Sequence, residues 1–213
     1  MFEPTPKEFA NVKQLIREAK YDKALQRLES FETLKRNSPQ DIVLIHLLKC
    51  FLFFEQALFK KASKFAEKVY NESLGLENKI FSVDALLIRA LALLYSRDLE
   101  TGNKCIEKGE VLLNSLIQLS DNTKNRRMTL LLYLKGIRAD PSHTPPGDVE
   151  LSLEYYKRSL SLAEPLHEEN RVIASLIRIA WNISFNKGDL DLGFQYAERA
   201  LALARDLNYK VLY

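Results

Sequence analysis

Apolar residues recur at helical spacing in two closely similar segments in the second half of the chain. The segment GDVELSLEYYKRSLSLA occupies residues 147–163, and GDLDLGFQYAERALALA occupies residues 188–204. In both segments the apolar positions follow steps of 4, 3, 4 and 3, which place them on one stripe of an α-helix. The stripe consists of Val149, Leu153, Tyr156, Leu160 and Ala163 in the first segment, and of Leu190, Phe194, Ala197, Leu201 and Ala204 in the second. The chain therefore contains two copies of the same amphipathic helical pattern.

Start signals and preceding helices extend this pattern to the rest of the chain. Asp148 and Asp189 stand just before each stripe, where a short carboxylate can accept hydrogen bonds from the first helical turn. Thr5-Pro6 and Ser38-Pro39 combine a capping hydroxyl with proline at the first helical position. Five second helices are predicted at 20–31, 58–70, 97–113, 147–163 and 188–204, and five first helices at 7–18, 40–55, 79–96, 123–139 and 168–186. The predicted fold is all-α, with five helix-turn-helix hairpins in series and about ten helices.

A small residue occupies one matched position in all five second helices. It lies three residues after the apolar or aromatic residue that opens each helix. The opening residues are Tyr21, Phe59, Leu99, Val149 and Leu190, and the small residues are Ala24, Ala62, Gly102, Ser152 and Gly193. We expect the preceding antiparallel helix to approach closely at these positions and to leave no room for a larger side chain.

These hairpins predict a single array over residues 1–213. Its approximate units are 5–38, 39–77, 78–121, 122–166 and 167–209, with the start of a sixth unit at 209–213. The fourth unit is longer because it contains the proline-rich loop DPSHTPPG at 140–147, which we expect to project from a turn and to be dispensable for stability. The segment 207–213 parallels 168–174, so the sequence indicates a fragment of a longer array, with self-association through the C-terminal edge as the alternative.

The helical hairpins resemble the tetratricopeptide repeat (TPR) family. The fifth unit carries the resemblance best, with Gly188, Asp189 and Leu190 at the turn and Gly193, Ala197 and Ala200 at the small-residue positions. The period of about 40 residues is longer than the 34 usual in the family, which is typical of an extended variant. The resemblance implies a right-handed superhelical solenoid that binds a peptide or protein segment in a concave groove lined by the first helices.

The resemblance also implies which residues line that groove. They are Leu47, Phe51, Phe54, Leu87, Leu91, Leu94, Tyr95, Tyr133, Ile137, Arg178, Asn182 and Phe185. For Phe51, Leu87 and Leu91, simple helix-to-helix packing is the competing interpretation. Arg178 and Asn182 resemble the polar pair that holds a C-terminal carboxylate in some family members, although Arg178 could instead pair with Glu198 or Asp189.

Composition and charge narrow the function classes further. The formal charge of +3 comes from interspersed basic and acidic residues, so we expect no nucleic-acid partner. The most apolar stretch, 41–59, is interrupted by charged residues, so we expect a buried helix and no membrane partner. Two cysteines and the lack of a targeting segment favour a cytoplasmic location.

No constellation typical of catalysis is visible. His46, His143 and His167 lack partners at metal-ligand spacing, and Cys50 and Cys105 lie in apolar helical patterns. We therefore expect no enzyme activity, no catalytic residue, no metal and no cofactor. Three functions remain open: a non-catalytic protein–protein interaction scaffold, the sensor or regulatory region of a larger signalling or transcription-control protein, and a self-assembling structural module.

Overall fold

The computed structural model describes residues 9–34 and 37–209, and over these residues the protein is all-α. No strand occurs in the described ranges, so the predicted fold class is confirmed at that level. The helices are α1 (Ala10–Arg17), α2 (Tyr21–Glu32), α3 (Pro39–Glu55), α4 (Phe59–Ser73), α5 (Ile80–Tyr95), α6 (Leu99–Ser115), α7 (Asp121–Ala139), α8 (Val149–Ala163), α9 (Glu169–Trp181) and α10 (Leu190–Asp206). A π-helical turn, Asn182–Asn186, extends α9.

The ten helices pair into the five predicted hairpins, α1 with α2 through α9 with α10, and the capping residues act as expected. The hydroxyl of Ser38 accepts a hydrogen bond from the Asp41 backbone N–H at 3.2 Å, and Asp41 accepts one from the Ser38 N–H at 2.9 Å. Asp148 and Asp189 each accept a backbone N–H of the following first turn at 3.0 Å. These side chains satisfy donors that have no partner inside the helix. The cap predicted at Thr5-Pro6 lies outside the described residues.

The described helices form two compact units, one containing α1 to α6 and the other containing α7 to α10. Within each unit, every helix packs against the next one in sequence. In addition, α3 contacts α5 and α7 contacts α9, so the first helices of adjacent hairpins are neighbours inside a unit. This pattern of contacts is consistent with a helical repeat.

The small residues of the second helices do lie where the first helix of the hairpin approaches closely. A Cβ on Gly102 would stand 3.0 Å from the Leu94 side chain, and one on Gly193 would stand 3.1 Å from the Ala180 carbonyl. Ser152 is fully buried, and its hydroxyl donates to the Gly136 carbonyl at 3.1 Å. A larger side chain at these positions would therefore force the two helices apart.

The tight turns inside the hairpins also repeat at one register. In hairpins one, two, three and five, the residue two positions before the second helix has a positive φ, at Ala19 (55°), Ala57 (56°), Arg97 (67°) and Gly188 (75°). This left-handed conformation is the common way to end a helix, and it favours glycine. Only hairpin five therefore carries the residue type that suits its turn best.

The loop of the fourth hairpin was expected to project, but its first residue, Asp140, lies in the interior. Asp140 is fully buried, and its carboxylate is held by the Ser142 backbone N–H at 2.9 Å and the Ser142 hydroxyl at 2.7 Å. The Asp148 N–H donates to the Ala139 carbonyl at 2.7 Å, which closes the base of the loop. The expectation that all of 140–147 is dispensable is therefore wrong for Asp140, because removing it would unpair a buried network.

Candidate protein-binding site

The structure leaves accessible only part of the surface that the resemblance implied. Phe51, Phe54, Tyr95 and Arg178 are half-buried, and Phe185 is exposed. The other predicted groove residues are buried among the helices: Leu47, Leu87, Leu91, Leu94, Tyr133, Ile137 and Asn182. In this conformation the buried side chains cannot contact a ligand, since nearly all of their surface already touches protein.

Tyr133 shows why sequence position alone could not locate a binding surface. It lies on α7 beneath α9, and the Arg171 guanidinium of α9 stands 4.3 Å from the centre of its ring. Another neighbour is the Tyr156 ring of α8, 5.6 Å away between ring centres. Tyr133 therefore joins three helices, as a core residue does, and is not an open anchor.

Asn182 is likewise committed inside the protein. Its amide donates to the Asp140 carboxylate at 3.0 Å and to the Arg178 carbonyl at 3.1 Å, and its oxygen accepts a bond from Asn186 at 2.9 Å. Tyr156 also donates its hydroxyl to Asp140 at 3.3 Å. These bonds occupy Asn182, so the proposed carboxylate pair with Arg178 is absent from this conformation.

The same network controls the ionisation of Asp140. Burial alone would raise the pKa of this carboxyl, but hydrogen bonds from Ser142 and Asn182, together with the nearby His143, bring the pKa below its ordinary value. Asp140 therefore stays ionised while buried, and it ties the end of α7 to α8 and to the π-helical turn after α9.

Three half-buried aromatic residues of the first unit contact one another, and we call them the aromatic cluster: Phe54, Phe59 and Tyr95. The ring centres lie 5.3 Å apart for Phe54 and Phe59, 5.2 Å for Phe54 and Tyr95, and 5.4 Å for Phe59 and Tyr95. All three rings are half-buried. Phe54 comes from the end of α3, Phe59 from the start of α4 and Tyr95 from the end of α5. Three helix ends from two adjacent hairpins thus present a pre-formed, partly open aromatic surface.

Phe59 was not predicted as a site residue because the family resemblance places the groove residues on the first helices. The signal was present in the sequence, since Phe59 is the aromatic residue that opens a second helix, five positions after Phe54. The contact between Trp181, at the end of α9, and Phe185, in the π-helical turn, was also missed; their ring centres lie 4.2 Å apart. Their spacing of four residues on one helix face would have indicated this contact.

His46 has two acidic partners that the sequence did not indicate. In the first unit, its ring nitrogens lie 2.7 Å from a Glu72 oxygen and 2.8 Å from a Glu32 oxygen, and Lys49 also pairs with Glu32. Burial opposes ionisation of Glu32, but the hydrogen bonds and charges of Lys49 and His46 lower the pKa of this carboxyl. This cluster joins α2, α3 and α4 through partly buried polar contacts, so we interpret it as a structural network.

The two thiols are unsuited to nucleophilic chemistry. Burial raises the pKa of Cys50 and of Cys105 above the ordinary value, so the thiolate is disfavoured at both positions. Across residues 9–34 and 37–209, no group of three or more His, Cys, Asp or Glu side chains could hold a metal ion. Within the same ranges, none of the helices combines the length and the apolar character needed to cross a membrane.

Comparisons with known proteins add no family assignment. No model of a protein family matches the chain, and no curated protein matches it either.

Proposed function

We propose that this protein is a non-catalytic, TPR-like helical-repeat scaffold that binds a protein or peptide segment. The repeated hairpins, the matched small residues and the matched turns support a solenoid built as a single array over residues 1–213. Packing between consecutive helices inside each unit supports the same arrangement.

The aromatic cluster carries the functional part of the proposal. Aromatic side chains supply large contact areas at low conformational cost and are among the residues that most often dominate binding energy. The rings of Phe54, Phe59 and Tyr95 already hold one another in place, so binding would require little reordering. A segment with bulky apolar side chains would suit this surface.

Selection from a displayed peptide library on the full chain tests the proposal. We expect selected peptides to bind Phe54→Ala and Tyr95→Ala at least tenfold more weakly, which is the loss expected when an anchor residue is truncated. Val111→Ala is the matched control, because Val111 is an exposed apolar residue in the same unit and lies outside the cluster. Thermal melts of each variant separate lost binding from lost folding.

Two results would count against the proposal. One is a set of selected peptides that bind folded Phe54→Ala and Tyr95→Ala as well as the parent chain. The other is loss of binding when charges on the second helices are reversed, for example by Glu154→Lys, while Phe54→Ala and Tyr95→Ala still bind the peptides. Either result would move the working surface away from the aromatic cluster.

A further inference from the structure

An apolar surface in the second unit lies open on α9 and α10. We call it the end surface and define it by Trp181, Phe185, Leu190, Phe194 and Leu201. Each of these side chains is between 46% and 67% exposed. Trp181 and Phe185 come from the face of α9 and its π-helical turn, and the other three belong to the α10 stripe. These large exposed apolar side chains lie on two helices that pack against each other, and clusters of exposed apolar residues often mark an interaction surface.

The repeat indicates what kind of element covers such a surface. Leu153 and Leu160 of α8 hold the same repeat positions as Phe194 and Leu201 of α10, 41 residues later. In α8 these residues are buried, because α9 packs against both α7 and α8. The covering element at the equivalent place is thus a single amphipathic α-helix, which reaches both helices of the hairpin before it.

The chain also leaves α10 through the same turn by which it leaves α8. His167, just before α9, has a φ of 52°, and Asn208, which is 41 residues later, has a φ of 50°. Positive φ is uncommon for residues other than glycine, so the match at this register is a second structural repeat. The turn after α10 therefore has the same backbone conformation as the turn after α8, and that turn leads into the covering helix α9.

Charges beside the two stripes specify the covering helix further. Glu150 flanks the α8 stripe and pairs at 2.6 Å with Lys187, which comes from the following hairpin. Asp191 holds the same position beside the α10 stripe. Glu164, at the other end of α8, pairs with Arg199 of α10, so the partner at this end lies on the following second helix and not on the covering helix.

We propose that the end surface is a docking site for an amphipathic α-helix that packs on α9 and α10 as α9 packs on α7 and α8. The bound helix presents an apolar face to Trp181, Phe194 and Leu201. A basic side chain at the end of the helix lies against Asp191, as Lys187 lies against Glu150. This site is separate from the aromatic cluster and does not rest on the proposed function.

A peptide copied from the covering helix is a direct probe. It comprises residues 168–187 with Trp181→Phe, so that Trp181 of the full chain is the only tryptophan present. Addition of this peptide to the full chain is expected to give a saturable blue shift of Trp181 emission, because docking excludes water from the indole. A peptide of the same composition in scrambled order is expected to give no saturable shift.

Substitutions in the full chain locate the binding site. Phe194→Glu and Phe194→Ala are expected to weaken peptide binding at least tenfold, since both remove the largest exposed stripe residue. Asp191→Asn is expected to weaken it about two- to fivefold, as for an exposed charge pair. Val111→Glu places the same charge on an exposed apolar position of the other unit and is expected to leave binding within twofold.

Three outcomes would overturn the proposal. The first is no saturable shift at peptide concentrations up to about 1 mM, where even weak specific binding registers. The second is equal weakening by the Phe194 variants and by Val111→Glu. The third is a full chain that sediments as a dimer and becomes monomeric with Phe194→Ala, because the occupant would then be a second copy.

Discussion

Hairpins four and five carry nearly the same second helix, and yet one stripe is buried and the other is open. Leu153 of α8 is 3% exposed, whereas Phe194, at the same position of α10, is 65% exposed. The difference does not come from the sequences of these helices, which share their apolar spacing and their capping aspartate. It comes from the presence of α9 over α8. An amphipathic pattern thus identifies the face that a helix can bury, but a neighbour decides whether it is buried.

The largest expected effect comes from truncating the two matched residues. Leu153→Ala should lower the free energy of unfolding by about 2–5 kcal/mol, because it removes buried apolar surface and leaves a cavity. Phe194→Ala should change it by less than about 0.5 kcal/mol, as for a surface position. Urea unfolding of both variants measures the difference. Similar losses in the two variants would show that the α10 stripe is packed in solution.

The next effect concerns the buried carboxylate that joins hairpin four to hairpin five. Asp140→Asn should cost about 2 kcal/mol at pH 7, since it weakens charge-assisted hydrogen bonds from Ser142 and Asn182. The folded pKa of Asp140 lies below its ordinary value, so its contribution is present above the unfolded pKa of about 3.9 and is lost as the pH falls through the folded pKa.

Urea unfolding between pH 7 and pH 2.5 tests this linkage. The difference in free energy of unfolding between the parent chain and Asp140→Asn should be largest above about pH 5. It should decrease as the carboxyl becomes protonated. Asp206→Asn, at an exposed position near the end of α10, is the matched control and should show a difference close to zero throughout. A constant difference for Asp140→Asn would mean that its charge does not contribute.

The smallest effect concerns the turns. Ala57 in hairpin two adopts the same left-handed conformation as Gly188 in hairpin five. Ala57→Gly should therefore raise the free energy of unfolding by about 0.5–1 kcal/mol, and Gly188→Ala should lower it by a similar amount. Thermal or urea unfolding reports both values. Destabilisation by Ala57→Gly would contradict the shared turn geometry.

The helices could be predicted from the sequence because the residues that determine them act locally. Apolar spacing, capping residues such as Ser38 and Asp148, and small residues such as Gly102 act within one hairpin. The predicted helices therefore coincide with the observed ones to within a few residues. The division of the described helices into two compact units did not follow from the pattern, because it depends on packing between hairpins.

The candidate site was only partly predictable for the same reason. Of the predicted groove residues, Phe54 and Tyr95 are half-buried, while Tyr133 and Asn182 are covered by contacts that join residues far apart in sequence. The Asp140–Asn182 bond spans 42 positions, and no local spacing rule relates two such polar residues. Burial of a polar residue such as Asn182 therefore depends on the neighbouring hairpin, which the residue's own helix does not specify.

Thiol labelling at the two matched positions tests most directly the claim that a neighbouring helix decides which stripe is covered. Cys50 and Cys105 are buried, so an introduced cysteine should dominate rapid labelling. Phe194→Cys is expected to react at nearly the rate of an unfolded peptide, whereas Leu153→Cys should react at least on the order of a hundredfold more slowly, because labelling there requires opening of the packed hairpins. Equal labelling rates at the two positions in folded protein would contradict the account.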